Sequence, residues 1–261
     1  MRLPTYFISH GSPELLLGRS AARTFLEDFA AQVRKPRAIV IASAHFMTRA
    51  PAVDAAARPG MIYDFGGFPD PLYEKVYAAP GDPALAAQVA ALMERAGLAP
   101  QLAPREGFDH GTWVPLSLMY PQADIPVVQI AVQPKADPAH HYRLGQALAS
   151  LPDDDVLVIG SGSATHNLHE MYSAGYQMDS WVQDWVVEFC DWIAARAGEG
   201  AVDDLTNYRE RAPQFRANHP TDEHFLPFMV ALGAAGAGAR GERIHASVQY
   251  GVLAMDCYAF R

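Results

Sequence analysis

Short, β-branched apolar runs that alternate with amphipathic helical stretches predict an α/β fold: a single domain with a mostly parallel central sheet flanked by helices. Half of the 261 residues are hydrophobic, ample for a sizeable core. The strand candidates are continuous apolar runs, as strands covered on both faces require. Ligands of such sheets gather beyond the carboxyl ends of the strands.

Leu3 to Ser9 reads as a short buried strand, and Arg37 to Ser43 as a clearer one after Lys35-Pro36. Between them Ser20 to Val33 places Phe25, Phe29 and Val33 four apart on one helical face, with Ser20 as N-cap. This is a β-α-β start. Gly60 to Ala79 reads as a long loop carrying Tyr63, Phe65 and Phe68, too aromatic for a plain solvent connection. It is either a lid lining a site or a loop packing its own rings. Asp82 to Ala96 is a helix opened by a capping Asp and a Pro at its first position. Ile125 to Val132 and Val156 to Gly160 read as buried strands joined by a crossover helix over Pro138 to Leu151. Trp181 to Arg196 and His224 to Ala235 read as helices, Gly233 to Gly241 as a small-residue loop, and Glu242 to Leu253 as the strand closing the sheet. No repeat or break divides residues 1–261, which read as one catalytic domain.

A net charge of −9 with no basic cluster argues against nucleic acid or anionic lipid as a partner and favours small molecules. Cys190 and Cys257 are too few for a disulfide framework, and no cationic start leads into a long apolar run. The expectation is a cytoplasmic protein with no membrane segment, a monomer or homodimer.

Five histidines, His10, His45, His110, His166 and His224, sit in Gly-, Ser- or Pro-punctuated segments that follow apolar runs. Imidazole is the usual neutral metal ligand and proton shuttle near neutral pH, so such a gathering points to a metal site with acid–base help. His10 is aimed by the tight turn that Gly11 and Pro13 impose, and His45 follows its strand in the same way. Asp109 is placed either to orient His110 or only to cap a helix. His140, His141, His169 and His245 read as structural, and His219 as a possible competing ligand. Without a His-Glu-x-x-His helix or a Cys-x-x-Cys pair, the common protease and structural-zinc readings fall away, while zinc, iron and copper stay open. A serine hydrolase using Ser161 or Ser163 with His166 is an alternative that lacks the Gly-x-Ser-x-Gly frame.

Taken together, His-Gly-Ser-Pro at 10–13, Ser-Ala-His-Phe at 43–46, Asp-Phe-Gly-Gly-Phe-Pro at 64–69, Gly-Phe-Asp-His-Gly-Thr-Trp at 107–113, Ser-Gly-Ser-Ala-Thr-His-Asn-Leu at 161–168 and Pro-Thr-Asp-Glu-His-Phe-Leu-Pro at 220–227 resemble the DOPA-dioxygenase-type family. That family belongs to the class III, LigB-like extradiol ring-cleavage dioxygenases. The resemblance implies a non-haem Fe(II) for activity, with Zn as the metal bound in isolated protein, and a catechol and O2 as substrates. It implies His10, His45 and His224 as metal ligands, His166 as a fourth ligand or an acid–base residue, and His110 as the other acid–base residue. His224 stands where the wider class has a glutamate, with Glu223 beside it. Tyr63, Phe65 and Phe68 are the expected substrate-lining residues. Two rival readings use the same cluster: a zinc hydrolase with a metal-bound hydroxide, and a non-catalytic binding protein on the same fold.

Overall fold

The computed structural model describes residues 2–261. In chain order it comprises β1 (Thr5–Ser9), α1 (Ala21–Gln32), β2 (Ala38–Met47), β3 (Ala52–Asp54), β4 (Gly60–Met61), α2 (Pro83–Arg95), β5 (Gln101–Ala103), β6 (Gly107–Phe108), α3 (His110–Met119), β7 (Val127–Val132) and α4 (Pro138–Ala147). There follow β8 (Val156–Gly162), α5 (Leu168–Ser173), α6 (Asp184–Glu199), α7 (Val202–Thr206), α8 (Tyr208–Arg211), α9 (Phe215–Asn218), α10 (Leu226–Ala234), β9 (Gly241–His245), β10 (Val248–Gln249), β11 (Leu253–Ala254) and β12 (Cys257–Phe260).

Eight strands form one sheet in the order β5-β3-β7-β2-β8-β1-β12-β9. Its centre is parallel, through β7 with β2, β2 with β8 and β8 with β1. Pairing turns antiparallel where β3 meets β7, where β12 meets β1 and at the β9 edge. Period-2 alternation splits each central strand between two apolar layers. Ile39 and Ile41 pack with Leu26, Phe29 and Trp113 on one face, and Val40 and Ala42 with Val89, Leu144 and Val230 on the other. A third cluster gathers Phe7, Phe189, Phe225, Phe228 and Tyr258 under α6 and α10. The mostly parallel α/β architecture is therefore as the sequence predicts.

Local chemistry starts the helices. The Ser20 hydroxyl accepts from Arg23 N at 3.1 Å, and Asp82 from Leu85 N at 2.9 Å ahead of Pro83. Several expectations need correction. On α1 the buried residues are Ala22, Leu26 and Phe29, with Phe25 and Val33 on the flank of that face. Glu242 to Leu253 is not one strand: β9 ends at His245, β10 and β11 form a separate hairpin, and the strand lying against β1 is the buried β12. Trp181 precedes α6 and is 91% exposed. His224 lies in the turn before α10, and His45 lies inside β2 rather than beyond it.

Candidate metal centre

Three imidazoles converge above the carboxyl ends of β1, β2 and β8. His10 follows β1 directly, its N–H bonded to the Gly162 carbonyl at 3.0 Å. His224 is brought there because α10 lies against β8 at a glycine: a Cβ on Gly162 would stand 1.9 Å from the His224 carbonyl. His45 Nε2 lies 3.2 Å from His10 Nε2 and 3.1 Å from His224 Nε2.

Hydrogen bonds on the far side of each ring fix its tautomer. The Ser161 hydroxyl donates to the Gly111 carbonyl, so its lone pairs remain for His10 Nδ1–H at 3.0 Å. His224 Nδ1–H donates to the Glu223 carboxylate at 2.9 Å, and the Asp64 carboxylate faces His45 Nδ1 at 3.2 Å. Each ring therefore carries its proton on Nδ1 and turns a bare Nε2 lone pair inward. Three lone pairs facing one another in a buried space repel unless a cation sits among them. The two separations from His45 are those of ligand pairs about 2.0–2.1 Å from a common ion at roughly 100°. The donor set fits a transition metal with open coordination positions. Burial, followed by the charges of the neighbouring imidazoles, holds His10 and His224 well below the ordinary histidine range, as neutral ligands require.

Other donors overlap this set. Those of His10, His45 and His110 lie within 4.8 Å of one another, as do those of His166, Glu223 and His224. In the second group Glu223 is already engaged with His224 Nδ1, and the His166 ring stacks on His224 at 3.5 Å between centroids. In the first, His110 packs against His45 at 3.8 Å and gives its Nδ1–H to Asp64 Oδ1 at 2.9 Å. His110 N also donates to Asp64, at 3.0 Å. Burial raises the Asp64 carboxyl, but hydrogen bonds from His110 and His45 outweigh it and hold the group ionised far below the usual carboxylate range. His110 is lowered by burial, against the opposing pull of Asp64. His166 is lowered to about 3, by burial first and then by the charge of His219.

The carboxylate that orients His110 is therefore Asp64, not Asp109. Asp109 caps α3 at Thr112 N, accepts the Ser43 hydroxyl at 2.6 Å and pairs with Arg105 at 2.7 Å. Asp64 was not singled out from sequence. The signal available was one carboxylate in an otherwise aromatic and glycine-rich stretch. His219 is turned away, its Nε2 on the Ala164 carbonyl at 2.9 Å among Phe189, Phe215 and Phe225. The serine-hydrolase alternative fails on geometry, because Ser161 serves Gly111 and His10, and Ser163 donates to Thr165 O.

The five histidines open on a cavity of about 570 Å³, lined also by Phe65, Phe68, Met171, Tyr172 and Tyr250. Tyr63 is not on its wall. It packs behind Phe65 and Trp113 with its hydroxyl on the Lys75 carbonyl at 2.8 Å, so it braces the loop instead of facing a ligand. No Arg or Lys lines the cavity among the described residues, and Arg105 lies over the Phe46 ring at 4.3 Å. Among the described residues no helix is long and apolar enough to cross a membrane.

Comparison with known proteins shows the family. Residues 5–260 match the family described as the catalytic LigB subunit of aromatic ring-opening dioxygenase. The 4,5-DOPA dioxygenase extradiol of Beta vulgaris is 42% identical over 98% of this chain and 96% of its own. That of Escherichia coli K12 is 38% identical over 89% and 85%. The crystal structure of an uncharacterized Escherichia coli K12 protein superposes with a TM-score of 0.80 at 30% identity, covering 99% of both chains. The chain belongs to the LigB family and is an extradiol ring-cleavage dioxygenase, a metal-dependent enzyme acting on a small-molecule substrate and O2.

Proposed function

We propose that the enzyme opens the ring of a DOPA-type catechol with O2 to give a muconic semialdehyde-type product, using Fe(II) held by His10, His45 and His224, with Zn able to occupy the same ligands in isolated protein. The observation that carries this reading is the set of three inward Nε2 lone pairs, His45 Nε2 standing 3.2 Å from that of His10 and 3.1 Å from that of His224, each fixed by an oxygen partner behind it. Bound there, Fe(II) supplies the electron transfer that lets dioxygen react with the ring and the polarisation that favours a deprotonated catechol oxygen.

The protein's own groups manage position and protons. His110 Nε2 takes a catechol proton. The Asp64 carboxylate on its Nδ1 steadies the imidazolium that results and holds the ring in place. His166, neutral and stacked on His224, presents an imidazole to the same cavity and guides the second proton movement. Phe65, edge-on to His110 at 5.9 Å, and Phe68 flank the aromatic ring and keep water from it. Residues 1–261 act as one catalytic unit, monomeric or homodimeric. Two buried free thiols suit a reducing, cytoplasmic setting.

Anaerobic loading with Fe(II), followed by a catechol panel read as oxygen uptake and yellow ring-opened product, tests the proposal. Oxygen uptake that depends on ferrous ion is expected. Zinc-supported hydrolysis with no oxygen uptake would overturn it.

A further inference from the structure

We infer that the mouth of the cavity is a subsite for a cationic ammonium on the side chain of the catechol, held by the Glu14 carboxylate between the rings of Tyr172 and Tyr250. The inference rests on the ring-cleavage reading above and names the side-chain group of the catechol by which the site selects.

Apart from the histidines, the charged residues on the cavity wall are Asp64 and Glu14, and no Lys or Arg lines it among the described residues. Asp64 is committed to His45 and His110. Glu14 is not committed: its carboxylate makes no hydrogen bond or ion pair among the described residues. It stands on the short helical turn Pro13–Leu16, only four residues beyond His10. The chain geometry that aims His10 thus also sets Glu14 at the rim.

Tyr250 is the second element. It holds a left-handed backbone, φ +53°, a conformation that costs a bulky residue energy and persists where surrounding structure enforces it. Tyr250 N donates to Met178 O at 3.2 Å and Gln183 N to Gly251 O at 3.0 Å, so the turn is clamped to the 178–183 segment with the ring on the cavity wall. Glu14, Tyr172 and Tyr250 all line this one cavity, and the Tyr250 phenol is pushed up by burial, then by the charge of Glu14 and by Tyr172. Tyr172 is 71% exposed yet also lines the cavity. An uncommitted carboxylate that shares a cavity wall with two tyrosines is the chemistry that recognises an ammonium, by charge and by cation–π attraction. A side-chain carboxylate in the same place meets Glu14 with no cation to receive it.

Three catechols of similar size separate the possibilities: dopamine, with an ammonium; ethylcatechol, neutral; and dihydrocaffeate, with a carboxylate. Binding is measured by calorimetry on the zinc-loaded protein, and cleavage by oxygen uptake on the Fe(II)-loaded protein. Dopamine is expected to bind about tenfold more tightly than dihydrocaffeate, the size of one exposed ion pair plus a cation–π contact. In Glu14→Gln the affinity ratio of dopamine to ethylcatechol falls about fivefold. Equal affinities in the wild type, or a ratio that Glu14→Gln leaves as it was, overturn the subsite. Selective binding without oxygen uptake from any of the three keeps the subsite and removes the ring-cleavage reading. Oxygen uptake without selectivity does the reverse.

Discussion

The Ser161 hydroxyl donates to the Gly111 carbonyl, and that carbonyl is free because Pro115, four residues on in α3, has no N–H to give it. A helix-interior proline therefore determines the tautomer of a proposed ligand, His10, on another element. Ser161 gives its proton to Gly111 and accepts from His10 Nδ1–H at 3.0 Å, leaving His10 Nε2 bare toward His45 Nε2. Ser161→Ala removes the oxygen that fixes the tautomer and strands the buried Gly111 carbonyl. Metal affinity is expected to fall about 10–100-fold, measured by competition with a chelating dye. Stability should drop by about 1–3 kcal/mol in denaturant titration.

Asp64 touches both His45, a proposed ligand, and His110, the proposed proton acceptor, whereas His110 is proposed to handle only the proton. His110→Phe should therefore keep its metal and lose turnover by about 10²–10⁴-fold. Asp64→Asn offers one acceptor oxygen where three N–H groups now point, His45 Nδ1–H, His110 Nδ1–H and the His110 backbone N–H, so turnover and metal content should fall together. Metal analysis alongside single-turnover kinetics distinguishes the two patterns. Metal loss in His110→Phe would instead place His110 among the ligands.

Gly111 is the contact on which the histidines rest. A Cβ there would stand 2.5 Å from Ser43 Oγ, 3.0 Å from His45 Cδ2 and 3.2 Å from His10 Cε1. None of these atoms is the far end of a flexible chain. Gly111→Ala should spread the two rings and weaken metal binding more than Ser161→Ala does. The overpacking penalty is of order 1–3 kcal/mol, read as a lower Tm. Metal affinity equal to wild type would show that the cluster relaxes without cost.

What the chain shows in one dimension follows the range of each interaction. Strands such as Val156–Gly162, buried on both faces, announce themselves by unbroken apolar runs, and Ser20 and Asp82 announce helix starts by chemistry within three residues. The closing strand Cys257–Phe260 is only four residues long and pairs with Thr5–Phe7 at the opposite end of the chain, so no local pattern marks it. The five histidines are legible because each sits in a short segment punctuated by Gly, Ser or Pro, but their partners are not. Asp64 lies 46 residues from His110, and Ser161 lies 151 from His10. Asp109, adjacent in sequence to His110, drew attention that belonged to Asp64, because a helix cap and an imidazole partner look alike until the loop is folded back.

Acid should unfold this protein through two histidines outside the metal cluster. His141 and His219 are fully buried, and burial lowers both to about 4 against small opposing contributions. Each is neutral for a structural reason. His141 Nε2 accepts from Gln133 N at 3.0 Å while Nδ1–H donates to Asp137 O, and His219 sits among phenylalanines. The unfolded chain protonates such groups near pH 6.5 and the folded chain only near 4. The folded state thus binds fewer protons in that window, and stability is lost as pH falls through it. At pH 5 the loss is about 2 kcal/mol for each residue, and it approaches its full value, about 3 kcal/mol each, below pH 4. Urea titrations at pH 7, 6 and 5 should show this steepening. His141→Gln should start less stable at pH 7 and show a shallower decline by about the share of one histidine. An unchanged slope in that variant would mean that His141 is not held neutral by its burial.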